Sequence, residues 1–444
     1  MALTGLDIFK VLPKTNCKEC GMATCLAFAM ALAGSKTTLD KCPYVSEDAK
    51  AAIGGAAAPP IATIKIGKDG AEREIGGETI LFRHDKSFVS PTGIAIEIKD
   101  DLTGSELDKK IEKVNDLIFE RVGTKVSIDY IAVSNVSGDA DKFASVVKAV
   151  LDKVCFALIL VSEDTKAMEK ALEVAAVSKP LIYAATAANA DQMVELAKKY
   201  DCPLAVKGTD LDSTATLVEK LAVNYKQLVI DLGSKNPAQA LADLTQQRRL
   251  AIKKKFRPLG YPVISFTTSE SARDEVIEAA ALICKYATIV VMKADEKSQI
   301  LPLMALRMNI FSDPQKPSQT ESKAFEVGAV TKDSPVYLTT NFALTYYSVE
   351  GEVSASKVPS YILAAPTDGT SVLTAWAAGK FSGEKLAEFI KECGIEDMVS
   401  HRDIIIPGHV AVIKGGLEEK SGWNVIVGPA EASGIPAFAK AKYA

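Results

Sequence analysis

Four cysteines fall within the first forty-two residues, Cys17, Cys20, Cys25 and Cys42, in the pattern C-x2-C-x4-C-x16-C, and Pro43 follows the last of them. Thiolates are soft ligands, and four on one short segment make a complete set for an iron-sulfur cluster. The close pair Cys17 and Cys20 puts two sulfurs on one side of a tight loop, and Gly21 lets the backbone turn there. Cys25 then opens a helix predicted over Cys25 to Leu32. Four thiolates also suit a closed tetrahedral zinc site, but such sites usually combine two similar pairs, and here only one pair is tight. The spacing with its trailing proline is closer to ferredoxin-like ligation of one four-iron four-sulfur (4Fe-4S) cluster. Disulfides are not expected, because Met1 is followed by no charged stretch and apolar run of a secretory leader, and the matching expectation is a cytoplasmic protein. The remaining cysteines, Cys155, Cys202, Cys284 and Cys393, are scattered singly and read as buried thiols acting as small hydrophobes.

The 444 residues leave room for two or three domains, and the 48% hydrophobic content is that of a soluble globular chain. No apolar run approaches the length of a membrane span, so no membrane partner is expected. A net charge of -4 argues against a general nucleic-acid binder, and the one basic run, Lys253 to Lys255 with Arg257, reads as a solvated helix end. Partners should be proteins or small molecules.

The elements that must position the chemistry show in punctuation and periodicity. Residues 51–60, rich in Ala and Gly and ending in Pro59-Pro60, have the composition of a linker, which closes a small metal-organised domain over 1–57. Beyond it, apolar β-branched runs begin near Ile94, Ile128, Phe156, Leu181, Leu204, Leu228, Val263 and Ile289, with helical patterns between them such as Thr165 to Val177 and Ser269 to Lys285. Strand-helix alternation repeated eight times predicts a closed (β/α)8 TIM barrel domain over 58–318. Asp231 and Asn189 stand at strand ends where barrel chemistry is done, but neither has an evident partner, so loop capping is the reading.

Asp313 to Gln319 forms a second polar, proline-bearing boundary. Strands then resume at Val336 to Thr339, Tyr361 to Ala364, Asp403 to Ile406 and Asn424 to Val427, which predicts a doubly wound α/β domain over 319–444. Two junctions rich in small polar residues, Asp368 to Ser371 before a helix over Val372 to Ala378, and Gly428 to Gly434, would lie at the carboxyl ends of strands, where such folds bind ligands. Each is also an ordinary helix start.

Taken together, Cys17 to Ala29 with Cys42-Pro43-Tyr44, Thr339 to Gly351, Thr367 to Trp376 and Gly428 to Ile435 resemble, in order and across the whole chain, the large (gamma) subunits of corrinoid iron-sulfur proteins of the acetyl-CoA synthase/decarbonylase system. The resemblance implies an N-terminal cluster domain, a central barrel and a C-terminal flavodoxin-like domain holding one corrinoid of the cobalamin type. It implies a methyl carrier that takes part in methyltransferase reactions, with no catalytic residue singled out and its standing as an enzyme left open: Co(I) takes a methyl group from methyltetrahydrofolate on a methyltransferase, and the methyl-Co(III) passes it to the nickel of acetyl-CoA synthase/CO dehydrogenase. The cluster would return Co(II) to Co(I). The resemblance further implies a heterodimer with a small subunit. On its motifs, Thr340, Tyr346, Gly369, Thr370, Ser371, Val372, Leu373, Ser433 and Gly434 are the corrinoid-pocket candidates, Tyr346 equally reading as core.

Two other classes stay open, a ferredoxin-like electron-transfer or activator protein without cobalt, and a methyltetrahydropterin-dependent methyltransferase acting through its barrel. A carrier must show one cobalt face to several partners in turn, so the terminal domains are expected to move about the linkers at 51–60 and 313–318. No Asp-x-His-x-x-Gly motif occurs. Of the three histidines, His84 and His401 lie away from the junctions, and only His409 stands in a C-terminal loop at a strand end within reach of a ligand, where its preceding Pro407-Gly408 turn favours a surface or partner-contact role. A base-off corrinoid with no histidine beneath the cobalt is therefore expected.

Overall fold

The computed structural model describes residues 5–33, 37, 39–46, 59–121, 124–313 and 317–443. Most of the first linker and the middle of the second, 51–58 and 314–316, lie outside the described residues. The chain divides into two compact units, Met1–Phe119 with Val126–Phe311, and Glu120–Lys125 with Ser312–Ala444.

The cysteine segment has a small core of its own. Helices α1 (Gly5–Val11) and α2 (Cys25–Ala33) pack together through Ile8, Leu12, Phe28, Ala29 and Leu32, and the same cluster takes in Cys25, Cys42 and Val45. Phe28 is 1% exposed, and burying one such ring is worth about 1.5–3 kcal/mol.

Eight parallel strands follow: β1 (Gly93–Lys99), β2 (Tyr130–Ser134), β3 (Ala157–Val161), β4 (Leu181–Ala185), β5 (Leu204–Lys207), β6 (Leu228–Asp231), β7 (Ile264–Phe266) and β8 (Ile289–Met292). They hydrogen-bond in the order β6-β5-β4-β3-β2-β1-β8-β7, and a parallel bridge from Ile230 to Val263 brings β6 to the start of β7 and closes the barrel. Period-two alternation explains the burial. Ile94, Ile96 and Ile98 face outward under the helices, whereas Ala95 joins Ala132, Ile159, Leu181, Ala205, Val229 and Val291 inside. A hairpin of Ile64–Ile66 and Arg73–Ile75 adds Ile64, Ile66 and Ile75 to that inner cluster, and its Gly67 amide donates to Lys179 O just before β4, stoppering the end where the strands begin. A second two-stranded sheet, Ile118–Arg121 with Thr124–Ser127, precedes β2.

The helices are those the periodicity predicts. Thr165–Ala175 buries Ala167, Met168, Ala171, Leu172 and Ala175 on one face, and the Asp164 carboxylate caps it by accepting from the Lys166 amide at 2.8 Å. Ala272–Cys284 is capped by Ser271, whose hydroxyl accepts from the Asp274 amide. The basic run Lys253 to Lys255 is exposed just past the helix Pro237–Ile252. Two single cysteines differ from expectation, since Cys155 and Cys284 are exposed while Cys202 is buried and Cys393 half-buried. Cys155 lies in the loop leading to β3, and Cys284 ends its helix one step beyond the buried pair Leu282 and Ile283, on the side turned to solvent.

The second unit carries a five-stranded sheet of β9 (Ala324–Val327), β10 (Val336–Thr340), β11 (Ser360–Ala365), β12 (Asp403–Ile406) and β13 (Asn424–Val427) in the order β9-β11-β10-β12-β13. All are parallel except the edge strand β9, which the sequence reading does not contain. One face packs Val336, Leu338, Phe381, Ile404 and Trp423, and the other Tyr337, Tyr346, Val353, Ile362 and Ile405. The order of the parallel strands reverses between β10 and β12, which makes that seam the topological switch point.

Candidate functional site

At the switch point the sheet opens. Between β10 and β12 the ladder holds one residue pair, Tyr337 opposite Ile405, whereas β10 and β11 stay paired from Val336 to Thr340. Beyond that pair lies a cleft of about 480 Å³. Its walls come from β10 (Tyr337, Leu338, Thr339), from the helix Ala343–Ser356 (Leu344, Thr345, Ser348), from Ser371, Val372 and Leu373, and from the loops after β12 and β13 (Pro407, His409, Pro429, Glu431).

Of the corrinoid-pocket candidates, the structure brings Ser371, Val372 and Leu373 to the cleft wall. Gly369 and Thr370 stand behind it in a loop clamped by Asn341, whose side-chain oxygen accepts from the amides of Thr367 (3.0 Å) and Gly369 (3.1 Å) and from the Thr367 hydroxyl (3.0 Å). Gly369 has φ +68°, and a Cβ there would lie 2.7 Å from Gln319 Cγ, so the loop needs glycine at this point. Thr340 ends β10 on the opposite face of the strand from Thr339 and is fully buried. Tyr346 is core, 4% exposed, with its ring 4.5 Å from Phe325 and 5.0 Å from Tyr347. Burial pushes its phenol well above the ordinary range. Ser433 and Gly434 share a short turn with Ala432 and lie between the wall residues Ala432 and Ile435 without lining the cleft themselves.

Three buried hydroxyls at this seam, Tyr337, Thr339 and Thr340, have no hydrogen-bond partner. Tyr337 and Thr339 line the cleft. Leaving such groups unpaired costs about 1–3 kcal/mol each. Polar atoms of a ligand entering the cleft would repay that cost, so the residues fit a large ligand with both apolar and amide or ribose surface.

His409 also lines the cleft rather than pointing clear of it, with Nε2 3.2 Å from Glu431 Oε1 across the two loops. The sequence already marks both positions, His409 as the one histidine in a C-terminal loop at a strand end and Glu431 within the Gly428 to Gly434 junction. His401 is structural, with one ring nitrogen against Ser334 O (2.9 Å) and the other accepting from the Asp403 amide (3.1 Å). His84 stacks on Phe82 at the surface.

In the N-terminal segment, two ties draw the cysteine-bearing pieces together. Asn16, next to Cys17, donates its amide to Cys25 Sγ (3.4 Å) and accepts from the Cys25 amide through its side chain (2.7 Å). Glu19, next to Cys20, accepts from the Tyr44 hydroxyl at 2.8 Å. This bond raises the Tyr44 phenol above its usual value, with smaller contributions from Cys17 and Cys42. Lys14, Asn16, Lys18 and Gly21 all have positive φ, and the Gly21 amide donates to Lys18 O at 2.9 Å, so the loop that carries Cys17 and Cys20 turns tightly. Among the described residues no three His, Cys, Asp or Glu side chains gather to hold a single metal ion.

At the barrel, Asn189 caps its loop, accepting from the Thr186 amide (2.7 Å) and donating to Glu163 O (2.8 Å). Asp231 does more than cap. It accepts from the Gly233 amide (2.9 Å) and the Tyr183 hydroxyl (2.6 Å) and faces a second cavity.

Residues 63–439 match the family described as CO dehydrogenase/acetyl-CoA synthase delta subunit, and residues 12–44 match one described as a putative Fe-S cluster. The chain is 51% identical to the corrinoid/iron-sulfur protein large subunit of Moorella thermoacetica, over the full length of both. It is 36% identical to the acetyl-CoA decarbonylase/synthase complex subunit gamma of Methanothermobacter thermautotrophicus, over 99% of this chain and 98% of that one. Among solved structures, dihydropteroate synthase from Thermus thermophilus aligns with 56% of this chain and 99% of its own at a TM-score of 0.39 and 15% identity. No described helix is long and apolar enough to cross a membrane. With full-length relatives of one kind in a bacterium and an archaeon, and a family match spanning barrel and C-terminal unit alike, the chain belongs to the family of corrinoid/iron-sulfur protein large subunits of the acetyl-CoA synthase system.

Proposed function

We propose that this chain is a methyl carrier. It takes a methyl group from methyltetrahydrofolate through a methyltransferase and delivers it to the nickel site of acetyl-CoA synthase/CO dehydrogenase, working in the cytoplasm as the large half of a heterodimer with a small subunit. The observation that carries the reading is the opened seam between β10 and β12 and the cleft beside it, lined by Tyr337 and Thr339, whose buried hydroxyls have no partner. A corrinoid, when bound, supplies a cobalt that accepts and releases a methyl group, and a 4Fe-4S cluster supplies the electron that restores oxidised cobalt.

The chain's own residues then divide the work. Tyr337 and Thr339 would take polar atoms of the corrinoid's tail, and Thr345 and Ser371 would meet its amides. Leu344 and Leu373, 56% and 48% exposed, offer apolar surface at the rim. Asn341 keeps the Thr367 to Ser371 loop against the end of β10, so Ser371 is presented from a fixed backbone. Cys17, Cys20, Cys25 and Cys42 would hold the cluster, with the Asn16 amide donated to Cys25 sulfur, a contact that favours electron-rich sulfur.

His409 is paired with Glu431, and a corrinoid held in this cleft would be base-off, with no histidine of this chain bound to its cobalt. EPR of the Co(II) state should then lack the splitting of an axial nitrogen, in the parent and in His409→Ala alike. A nitrogen splitting lost on His409→Ala would overturn the base-off arrangement. The function itself is tested by anaerobic purification with iron, cobalt and absorbance measurements, followed by methyl transfer from methyltetrahydrofolate with the methyltransferase added. Iron without cobalt, or methyl transfer that needs no added methyltransferase, would refute the carrier reading.

A further inference from the structure

The inside of the barrel changes character at its last layer. Along each strand, residues two apart share a face, so the apolar interior residues Ala95, Ala132, Leu181, Ala205, Val229 and Ile264 are followed inside by Glu97, Ser134, Tyr183, Lys207, Asp231 and Phe266. A barrel core needs no charge at that level, and the C-terminal end of the strands is where barrels of this kind place their ligands. The layer forms the floor of a cavity of about 470 Å³.

Charge and shape narrow what the cavity takes. Glu97, Glu163 and Asp231 bring three carboxyl groups against one cation, Lys207, which is already paired with Glu163 at 2.8 Å. That balance repels phosphate and other anions. A metal ion is not favoured either, since the described carboxylates form no group that could hold one. Acceptor capacity remains. Glu97 receives one hydrogen bond, from the Ser134 hydroxyl at 2.7 Å, and each Asp231 oxygen receives one, from Tyr183 and from the Gly233 amide. Beside them Tyr183 and Phe266 make an aromatic wall, ring centroids 4.7 Å apart, with Lys207 Nζ 5.8 Å from the Tyr183 ring. The two rings are tilted by 49° to each other, so a single ring face beside spare carboxylate acceptors suits a flat ligand with N–H groups along its edge.

We propose that the barrel mouth binds a planar nitrogen heterocycle of the aminopyrimidine kind, its ring on one face of the tilted Tyr183–Phe266 pair and its N–H donors shared between the carboxyl groups of Asp231 and Glu97. The site is built wholly within the barrel. It needs neither cluster nor corrinoid, so its success or failure is independent of the carrier reading.

The test is calorimetric titration of the full-length protein with 6-methylpterin and with 2,4-diaminopyrimidine, and with inorganic phosphate as the anionic probe. Both heterocycles should bind and phosphate should not. Glu97→Gln and Asp231→Asn should each weaken binding about tenfold or more, the loss expected when a charged acceptor is replaced by a neutral one. Asp231→Asn disturbs the Tyr183 contact and could misfold. Glu97→Gln keeps the side chain's shape at a group with one internal hydrogen bond, and Phe266→Leu removes part of the wall without touching a charge. Absence of binding by both heterocycles, preference for phosphate, or unchanged affinity in folded Glu97→Gln and Phe266→Leu would overturn the proposal.

Discussion

Thr339→Val separates a ligand-binding hydroxyl from a merely buried one. Thr339 is 1% exposed, its Oγ1 has no partner, and it lines the cleft. Valine has nearly the same shape and is at home in a strand. In the empty protein the substitution removes an unmade hydrogen bond, and so should stabilise by up to about 1–3 kcal/mol. In the corrinoid-loaded protein the proposed contact would give the hydroxyl a partner, and losing that bond should cost about 0.5–1.5 kcal/mol. The two effects pull the empty and loaded states together, which corresponds to a weakening of corrinoid binding by roughly 10- to 1000-fold. Urea unfolding followed by tryptophan fluorescence suits the measurement, because both tryptophans, Trp376 and Trp423, lie in the second unit and report on it selectively. The empty variant should have a higher midpoint than the empty parent, with an unchanged slope, and a smaller gain on loading. An empty variant less stable than the parent, or an undiminished gain on loading, would refute the reasoning.

Changing Cys20 to Ala should abolish or transform the cluster's EPR signal while leaving methyl transfer from already reduced cobalt largely intact, and a variant with the parent signal would remove Cys20 from the ligand set. Asp100, fully buried, accepts from the amides of Val136 and Ser137 at 2.8 Å each and from the Ser137 hydroxyl at 2.6 Å. Asp100→Ala strands two amides and should cost about 2–5 kcal/mol in urea unfolding. Burial raises the Asp295 carboxyl, but Lys110 and Lys113 more than offset it and leave the group below its ordinary range. A depressed carboxylate stabilises the fold above its unfolded value and loses that contribution as pH falls through the folded one, so Asp295→Asn should be less stable than the parent near neutral pH, with the gap closing below about pH 4. Gly369→Ala should destabilise the second unit, since it meets both a left-handed backbone and Gln319 Cγ at 2.7 Å, and a tryptophan-monitored midpoint equal to the parent's would contradict that account.

Much of this protein is written locally. The run from Ile94 to Ile98 alternates because both faces of a barrel strand are buried, and strands begin within two residues of where apolar β-branched runs mark them. Cys17, Cys20 and Cys25 lie close enough in the chain for one loop and one helix to carry them, so the proposal of a shared cluster rests on spacing alone. Alternation even carries the polar last layer of the barrel, since Glu97, Lys207 and Asp231 each stand two residues past an apolar interior position. The antiparallel edge strand β9 is not legible, because its four residues lack a pattern of their own and are held by pairing with β11.

Tertiary structure decided which side chains share a site. The cleft joins Tyr337, Thr345, Ser371, His409 and Glu431, which are far apart in the chain and meet only because the strand order reverses between β10 and β12. The junction Gly369 to Leu373 is plain in the sequence, yet only the clamp from Asn341 determines that Ser371 to Leu373 form the wall while Gly369 and Thr370 support it. Tyr183 and Asp231 become partners across forty-eight residues because their strands end at the same level of one barrel, two positions apart around it. Periodicity is a short-range property that assigns each residue to a face. Which faces meet depends on strand order and register, and those are set by packing the whole chain.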